Sequence, residues 1–468
     1  MADQQENDRE NKHASAGRDS LDGLLGDVAK RSARYLDGLG GRAVLPADEA
    51  VERAAELLGA LPDDGEEPEM LITLLDEIAA PATVASAGPR YFGFVTGGAL
   101  PAALAANWLA GAWDQNCFSS VSSPIAAAME ERVIGWLGDL FGFPPDCGGA
   151  LVTGATMANF TGLAAARHAV LEEAGWDVES WGLRGAPAVT IVAGAEAHTT
   201  LFKSLGLLGF GRDAVVSVPV DRQGRMRADA FPEISSPAIL CLQAGNVNTG
   251  AFDPAPDLIP LAKAKGAWVH VDGAFGLWAA VAPDRAHLMA GYAEADSWAV
   301  DAHKWLNVPY DSGTVLVRKP DALSAAMSIN AAYLLKGQRP EPFDFTPDSS
   351  RRMRSVDIWA ALRSLGRRGV AGLIEKNCRQ AARFGQGLGD AGFEILNEVV
   401  LNQVLVSFGS DQTTRRVIEA IQADGTCWCG GTVWQGRAAL RISVSSWATG
   451  DDDVELSLQA MIRAASAA

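Results

Sequence analysis

The 468-residue sequence has no apolar run long enough to span a bilayer. Its opening, MADQQENDRENKHASAGRDS, is polar and lacks the apolar core of a signal peptide. A cytoplasmic protein without membrane attachment is expected. An excess of positive charge is missing too: 39 basic residues stand against 57 acidic ones, a formal net charge of −18. That sign argues against nucleic acid or an anionic membrane as the main partner. Nor is there a cysteine framework, since the six cysteines (117, 147, 241, 378, 427 and 429) follow no paired spacing. Only Cys427 and Cys429, in GTCWCGG, lie close together. One residue between them is fewer than zinc sites or redox CxxC motifs use, and no histidine follows. They read as reduced structural thiols, and no metal site is expected.

What is present is ordinary for a globular chain: 48% hydrophobic and 21% charged residues. The length calls for two or three structural units. Residues 1–85 read as a disordered tail of about twenty residues followed by amphipathic helices, LDGLLGDVAKRSARYLDGLGG and ADEAVERAAELLGAL, each stopped by glycine or proline. Residues 86–370 read as a large α/β unit. SSPIAAAMEERVIGWLGDLFGF is a long helix with Pro124 in its first turn behind a serine cap. GALVTGATMANFTGLAAARHAVLEEAG is a short apolar segment, a small-residue turn and a helix. AVTIVAG, AVVSVPVD, AILCLQAG, AWVHVDG, SWAVDA and GTVLVRK are apolar, β-rich and separated by helical stretches. That alternation predicts a mostly parallel sheet covered on both faces. Residues 371–468 restart as a smaller α/β unit.

Lys304, in SWAVDAHKWLNVPYDSG, stands inside an apolar run. Alone it reads as a stem that packs while its ammonium reaches water. Its company changes that. In an open parallel sheet, ligands gather at the carboxyl ends of the strands. The polar residues just after each apolar run are Thr153 to Asn159 (TGATMAN), His198, Asn246 to Thr249 (GNVNT), Asp272, and His303 with Lys304. This set suits pyridoxal 5'-phosphate. Lys304 supplies an amine for its aldehyde, and Asp272 a carboxylate beside the ring nitrogen, which keeps the ring an electron sink. TGATMAN opens a helix and suits the phosphate. His198 supplies a flat group for the ring face. Each piece alone has a plain structural reading; their order along the chain carries the argument.

With RYFGF, VTGATMANFTGLAAAR, HVDGAFG, DAHKW, RRMRSVDIWAALRSLG and LRISVSSWAT, the chain resembles the group II pyridoxal-phosphate-dependent decarboxylases, of the aromatic-L-amino-acid and glutamate decarboxylase type, from about Pro89 to Thr449. The resemblance implies fold type I and a homodimer with each active site at the subunit boundary. It also implies decarboxylation of an L-amino acid, with an aromatic substrate among the candidates. By resemblance, Lys304 carries the cofactor as a Schiff base, Asp272 pairs with the ring nitrogen, His198 stacks on the ring and Ala274 packs its opposite face. Ala155, Thr156, Asp301 and His303 hold the phosphate. Phe94, Thr96 and Phe118 shape the substrate pocket. The apolar run ALPAALAANWLAGAW suits an obligate interface.

Two departures stand out. Relatives often have GTT where this chain has Gly245-Asn246-Val247, so a hydroxyl near the ring oxygen is lost unless Asn246 or Asn248 compensates. Relatives also carry a proton-donating tyrosine on a mobile lid, expected here at residues 334–350. The five tyrosines (35, 91, 292, 310 and 333) all lie outside that stretch, which holds Phe343 and Phe345. Tyr333, His198 or water are the remaining donors. In relatives, phenylalanine at the lid position goes with aldehyde formation by reaction with dioxygen. Decarboxylation therefore leads, with an aldehyde synthase or an aminotransferase on the same cofactor as alternatives. A non-catalytic binding protein would tolerate loss of Lys304 or Asp272, and the chain retains both.

Overall fold

A computed structural model describes residues 21–57, 59–329 and 341–467. The expectation of a disordered tail falls on residues outside that set. Each predicted apolar run becomes a strand. β1 (Gly148–Val152), β2 (Thr190–Gly194), β3 (Val215–Val218), β4 (Ala238–Gln243), β5 (Trp268–Asp272), β6 (Ser297–Asp301) and β7 (Gly313–Val317) form one sheet in the order β1-β7-β6-β5-β4-β2-β3. β2 to β6 run parallel, while β7 is antiparallel to β6 and β1. All residues of β4 to β7 are buried.

The two-residue period of a strand divides that burial between two cores. Val192, Leu240, Val269 and Trp298 face one core, with Val133 and Leu137 of helix Pro124–Leu140. Ile191, Ile239 and Ala299 face the other, with Ala158 and Leu163 of helix Ala155–Glu173 and Leu205 of helix Thr199–Leu207. These helices are α2, α3 and α4; α1 is Pro101–Trp113. Pro124 does open α2, but the Ser123 side chain makes no capping bond and its Oγ is buried without a partner among the described residues.

A second sheet, β8 (Glu394–Ile395), β9 (Gln403–Ser407), β10 (Gly430–Trp434) and β11 (Arg437–Ser443), has the order β10-β11-β9-β8 and is wholly antiparallel. Phe384, Val417 and Leu458 from its covering helices pack with Val404 and Leu440. The expected division after residue 370 falls inside helix Ser355–Asp390 (α5), which is broken at Gly366 (φ 60, ψ 176). Glycine takes that conformation without a Cβ penalty. Among the described residues no helix is long and apolar enough to cross a membrane.

The lead-in before α1 joins the two sheets. Phe92 N–H donates to Trp428 O (2.8 Å), Ser443 N–H to Phe92 O (2.9 Å), and Leu100 N–H to Asn307 O (2.7 Å). The chain passes so close to Lys304 that a Cβ on Gly97 would lie 1.7 Å from the Lys304 carbonyl oxygen.

Candidate active site

The carboxyl ends of β4, β5 and β6 and the turn before α3 border one cavity of about 340 Å³. Lys304, Asp272, His198, Ala274, Ala155, Thr156, Asp301 and His303 all line it. Residues predicted from segments far apart in sequence thus meet around one space. Lys304 does not simply reach for water: its Nζ pairs with Asp301 Oδ2 at 3.0 Å.

Asp272 ends β5 with 6% of its surface exposed. Its Oδ1 accepts from Ala274 N–H at 3.2 Å and its Oδ2 from Asn159 Nδ2 at 3.0 Å. Behind Asn159 runs a buried chain. His270 Nε2–H donates to Asn159 Oδ1 (2.9 Å), Ser297 Oγ–H to His270 Nδ1 (2.8 Å), and Trp268 Nε1–H to Ser297 Oγ (2.9 Å). The direction of each bond follows from the indole N–H, which can only donate, and from the Asn159 amide, which already donates to a carboxylate. Burial pushes the His270 pKa down to about 3, so the ring is neutral as the chain requires.

His198 caps α4, with Nδ1 accepting from Thr200 Oγ1 (2.7 Å) and Thr200 N–H (3.3 Å). Nε2 therefore carries the proton. Burial lowers the His198 pKa, with Lys304 and Arg441 acting the same way against Asp272. The result is a neutral, flat ring on the cavity wall. His303 accepts from Ser312 N–H at Nδ1 (3.1 Å), and burial lowers its pKa also. Ala155 N–H is bonded to Asp301 Oδ1 at 2.6 Å. Two of the expected phosphate residues thus hold one another, and a carboxylate has no proton to offer a phosphate. The first-turn amides that follow, Thr156 and Met157, make no backbone bond among the described residues and border the cavity. A Cβ on Gly154 would come within 3.1 Å of His303 Cε1, so a side chain there would press on the imidazole.

Pyridoxal phosphate fits this set. Amides at a helix start and the Thr156 hydroxyl can take an anion; His198 and Ala274 can flank a ring; an amine and a carboxylate are in place. Phe94, Thr96 and Phe118 do not line the cavity. Phe94 is exposed, tilts on Trp428 (5.4 Å between ring centroids) and sits with Val95 in left-handed backbone (φ 52 and 61). For a β-branched residue such a conformation is strained. Thr96 is buried against Ser445, and Phe118 stacks on Phe343 at 5.9 Å. Tyr333 lies outside the described residues. The lid stretch proves packed where it is described. Glu341 accepts from Ser120 N–H and Oγ–H, both at 2.6 Å, and Phe343 is buried.

Sequence reasoning missed Gln243, Thr200, His270 and Arg441, and it named Asn159 within TGATMAN without foreseeing its bond to Asp272. Arg441 Nη1 donates to Val247 O (3.2 Å), and no carboxylate pairs with it among the described residues. Its position in LRISVSS was visible; its approach to His198 from the second sheet was not.

A lysine amine, a strand-end carboxylate and a phosphate cradle at one edge of a mostly parallel sheet define a pyridoxal-phosphate enzyme of fold type I. The comparisons carry this further. The model of the pyridoxal-dependent decarboxylase conserved domain matches residues 52–409. Tryptophan decarboxylase 1 of Oryza sativa subsp. japonica is 27% identical over 402 residues, covering 77% of this chain and 77% of that protein. An aromatic-L-amino-acid decarboxylase of Drosophila lebanonensis is 28% identical over 396 residues, covering 80% and 97%. The crystal structure of Oryza sativa TDC with PLP and tryptamine superposes with a TM-score of 0.88 at 23% identity, over 96% of this chain and 98% of that one. The chain belongs to the pyridoxal-dependent decarboxylase family. Its cofactor is pyridoxal 5'-phosphate and its reaction the decarboxylation of an L-amino acid.

Proposed function

We propose that the substrate is an aromatic L-amino acid, that Lys304 binds the cofactor covalently, and that Asp272, held by Ala274 N–H and Asn159, pairs with the ring nitrogen. The observation that carries the reading is the convergence of Lys304, Asp272, His198 and the start of α3 on one cavity. Relatives named as tryptophan and aromatic-L-amino-acid decarboxylases support the aromatic substrate. When bound, the cofactor accepts the electron pair left as the Cα–carboxylate bond breaks. The residues do the rest. His198 and Ala274 would flank the ring of the bound cofactor. The Thr156 and Met157 amides, the Thr156 hydroxyl and His303 would hold the phosphate. Asp301 keeps Lys304 oriented and braces Ala155. Arg441, a cation without an acid partner among the described residues, takes the substrate carboxylate.

The same reading gives a cytoplasmic homodimer. All six cysteines are free, as in a reducing compartment. Trp108, Leu109 and Trp113 of α1 and the strained Phe94 turn are exposed in the single chain, which suits a subunit boundary next to the site. The residue ranges 1–85, 86–370 and 371–468 remain our division of the chain.

Borohydride reduction of the holoenzyme tests the assignment. It should fix the cofactor to a peptide containing Lys304, and product analysis over a panel of amino acids should give amine from aromatic substrates first. Labelling at another lysine would overturn the site, and activity confined to acidic amino acids would overturn the substrate class. Sedimentation of an active monomer would overturn the dimer.

A further inference from the structure

We propose that Gln243 donates a hydrogen bond to the phenolate oxygen of the cofactor ring, replacing the hydroxyl this chain lacks at Val247; the inference rests on the site assignment above. Neither neighbouring asparagine fills that role. Asn246 is fully engaged. Its Oδ1 accepts from Asn248 N–H (2.8 Å) and Thr249 N–H (3.2 Å), and its Nδ2 donates to Gln243 Oε1 (2.9 Å) and Glu196 O (3.3 Å). Asn248 does not line the cavity, and its Oδ1 accepts from Thr432 Oγ1 (3.1 Å). Val247 offers only methyl groups, and its carbonyl takes Arg441.

These bonds fix the direction of Gln243. Two backbone N–H groups on Asn246 Oδ1 leave its Nδ2 as the donor, so the Gln243 atom facing it is the oxygen. The other end of the amide, Nε2 with two hydrogens, has no partner among the described residues, and Gln243 lines the cavity beside Asp272 and His198. An amide donor is therefore left to a ligand.

The sheet says which atom of the ligand it meets. In pyridoxal phosphate the ring nitrogen and the aldehyde carbon define an axis. The phosphate arm leaves one flank of that axis and the phenolate oxygen the other. Asp272 marks the nitrogen end and Lys304 the aldehyde end. The phosphate amides open α3 directly after β1, on the β1-β7-β6 side of β5. β4 lies on the opposite side, and Gln243 at its end is the register partner of Asp272. The phenolate flank faces β4, where the Gln243 amide is.

A donor on the phenolate favours its ionised form and loosens the proton it shares with the nitrogen joining Lys304 to the cofactor. The visible band of the holoenzyme then changes at lower pH. Gln243→Met removes the donor at nearly constant volume. Gln243→Glu removes it at neutral pH, keeps an acceptor for Asn246 and adds a negative charge. The titratable and charged groups about the cavity and Gln243 are Asp272, His198, Asp301, His303 and Lys304 on the lining, Asp253 and Glu196 on the far side of Gln243, and Arg441 near His198, and they are the same in all three proteins. The test is a spectrophotometric pH titration of each holoenzyme, with cofactor release by dilution and apoprotein melting as companion readouts. Removing a hydrogen bond to a charged acceptor should raise the midpoint by about one to two pH units and weaken cofactor retention about tenfold or more. The order should be wild type, then Q243M, then Q243E. If either folded variant titrates and retains cofactor as the wild type does, Gln243 makes no such contact, and the cofactor assignment stands. A wild-type protein that forms no visible band with pyridoxal phosphate overturns both.

Discussion

His270→Gln tests the buried chain behind Asp272. His270 is 0% exposed, and burial pushes its pKa to about 3 in the folded protein, against about 6.5 in an unfolded chain. Between those values the unfolded chain takes up a proton that the native ring refuses. Stability therefore falls as pH falls, by about 1.4 kcal/mol per pH unit once below the unfolded value. Integrated from pH 7 to pH 5, the loss is about 2 kcal/mol. Asp253 opposes it. Burial raises its carboxyl to about 6, so the native state binds a proton first and gains about 1 kcal/mol over the same interval. The wild-type slope alone mixes the two effects, and the difference between wild type and His270→Gln separates them. Urea unfolding of both apoproteins at pH 5, 6 and 7 is the assay. The variant has a lower stability throughout, because Asn159 and Ser297 lose their partner. The wild type should lose about 2 kcal/mol more than the variant between pH 7 and 5. Parallel pH dependences would refute a neutral His270, and with it the bond directions that aim the Asn159 amide at Asp272.

Asp272→Asn should retain cofactor and lose about 10² to 10⁴ in turnover, the rate equivalent of breaking a buried charge pair; near-normal turnover removes Asp272 from the ring nitrogen. Arg441→Met should raise KM for the amino acid about tenfold to a hundredfold while the visible band is unchanged; an unaltered KM shows that the carboxylate binds elsewhere. Residues 334–350 hold Phe343 and Phe345 and no tyrosine; if Tyr333, His198 or water does not take over as donor, slow protonation at the α-carbon should let part of the flux react with dioxygen and water. One dioxygen would then be consumed per aldehyde, with ammonia and hydrogen peroxide formed. An oxygen electrode that shows no uptake during full conversion to amine excludes that branch.

The large sheet was legible because its strands are buried on both faces and so are apolar without interruption. β10 was not. GGTVW carries two glycines, pairs only with β11 and is largely uncovered, so it gives neither an apolar run nor a clear alternation. Lys304, Asp272 and His198 were legible because each follows an apolar run, where a parallel sheet places its ligands. Gln243 and Arg441 occupy equally telling positions and were passed over for different reasons. Gln243 ends AILCLQ as an ordinary polar strand-end residue, and its meaning comes from Asn246 occupying its oxygen. Arg441 reaches the site from the second sheet, and no local period records an approach between residues so far apart. Asp301 was placed at the phosphate by resemblance, through DAHKW; its contacts with Lys304 and the Ala155 amide were not legible in that motif.

The lacing around Lys304 bears on when this protein becomes an enzyme. Gly97 lies against the Lys304 carbonyl, Phe92 is pinned between Trp428 and Ser443, and Asn307 is bonded to Ser445 and Trp447. Every one of these contacts joins segments hundreds of residues apart, or the middle of the chain to the segment just after its last strand. Such closures form late. A nascent chain still missing residues 437–447 can build much of the large sheet, yet it cannot seat its lead-in or close the loop that follows Lys304. Cofactor capture should therefore require the chain as far as residue 447, which the absorbance of a protein ended at residue 436 and mixed with pyridoxal phosphate checks. A ribosome-bound or prematurely ended chain would hold every cofactor-touching residue from Thr156 to Lys304 and still stay colourless. Colour would then report that the polypeptide is complete through residue 447.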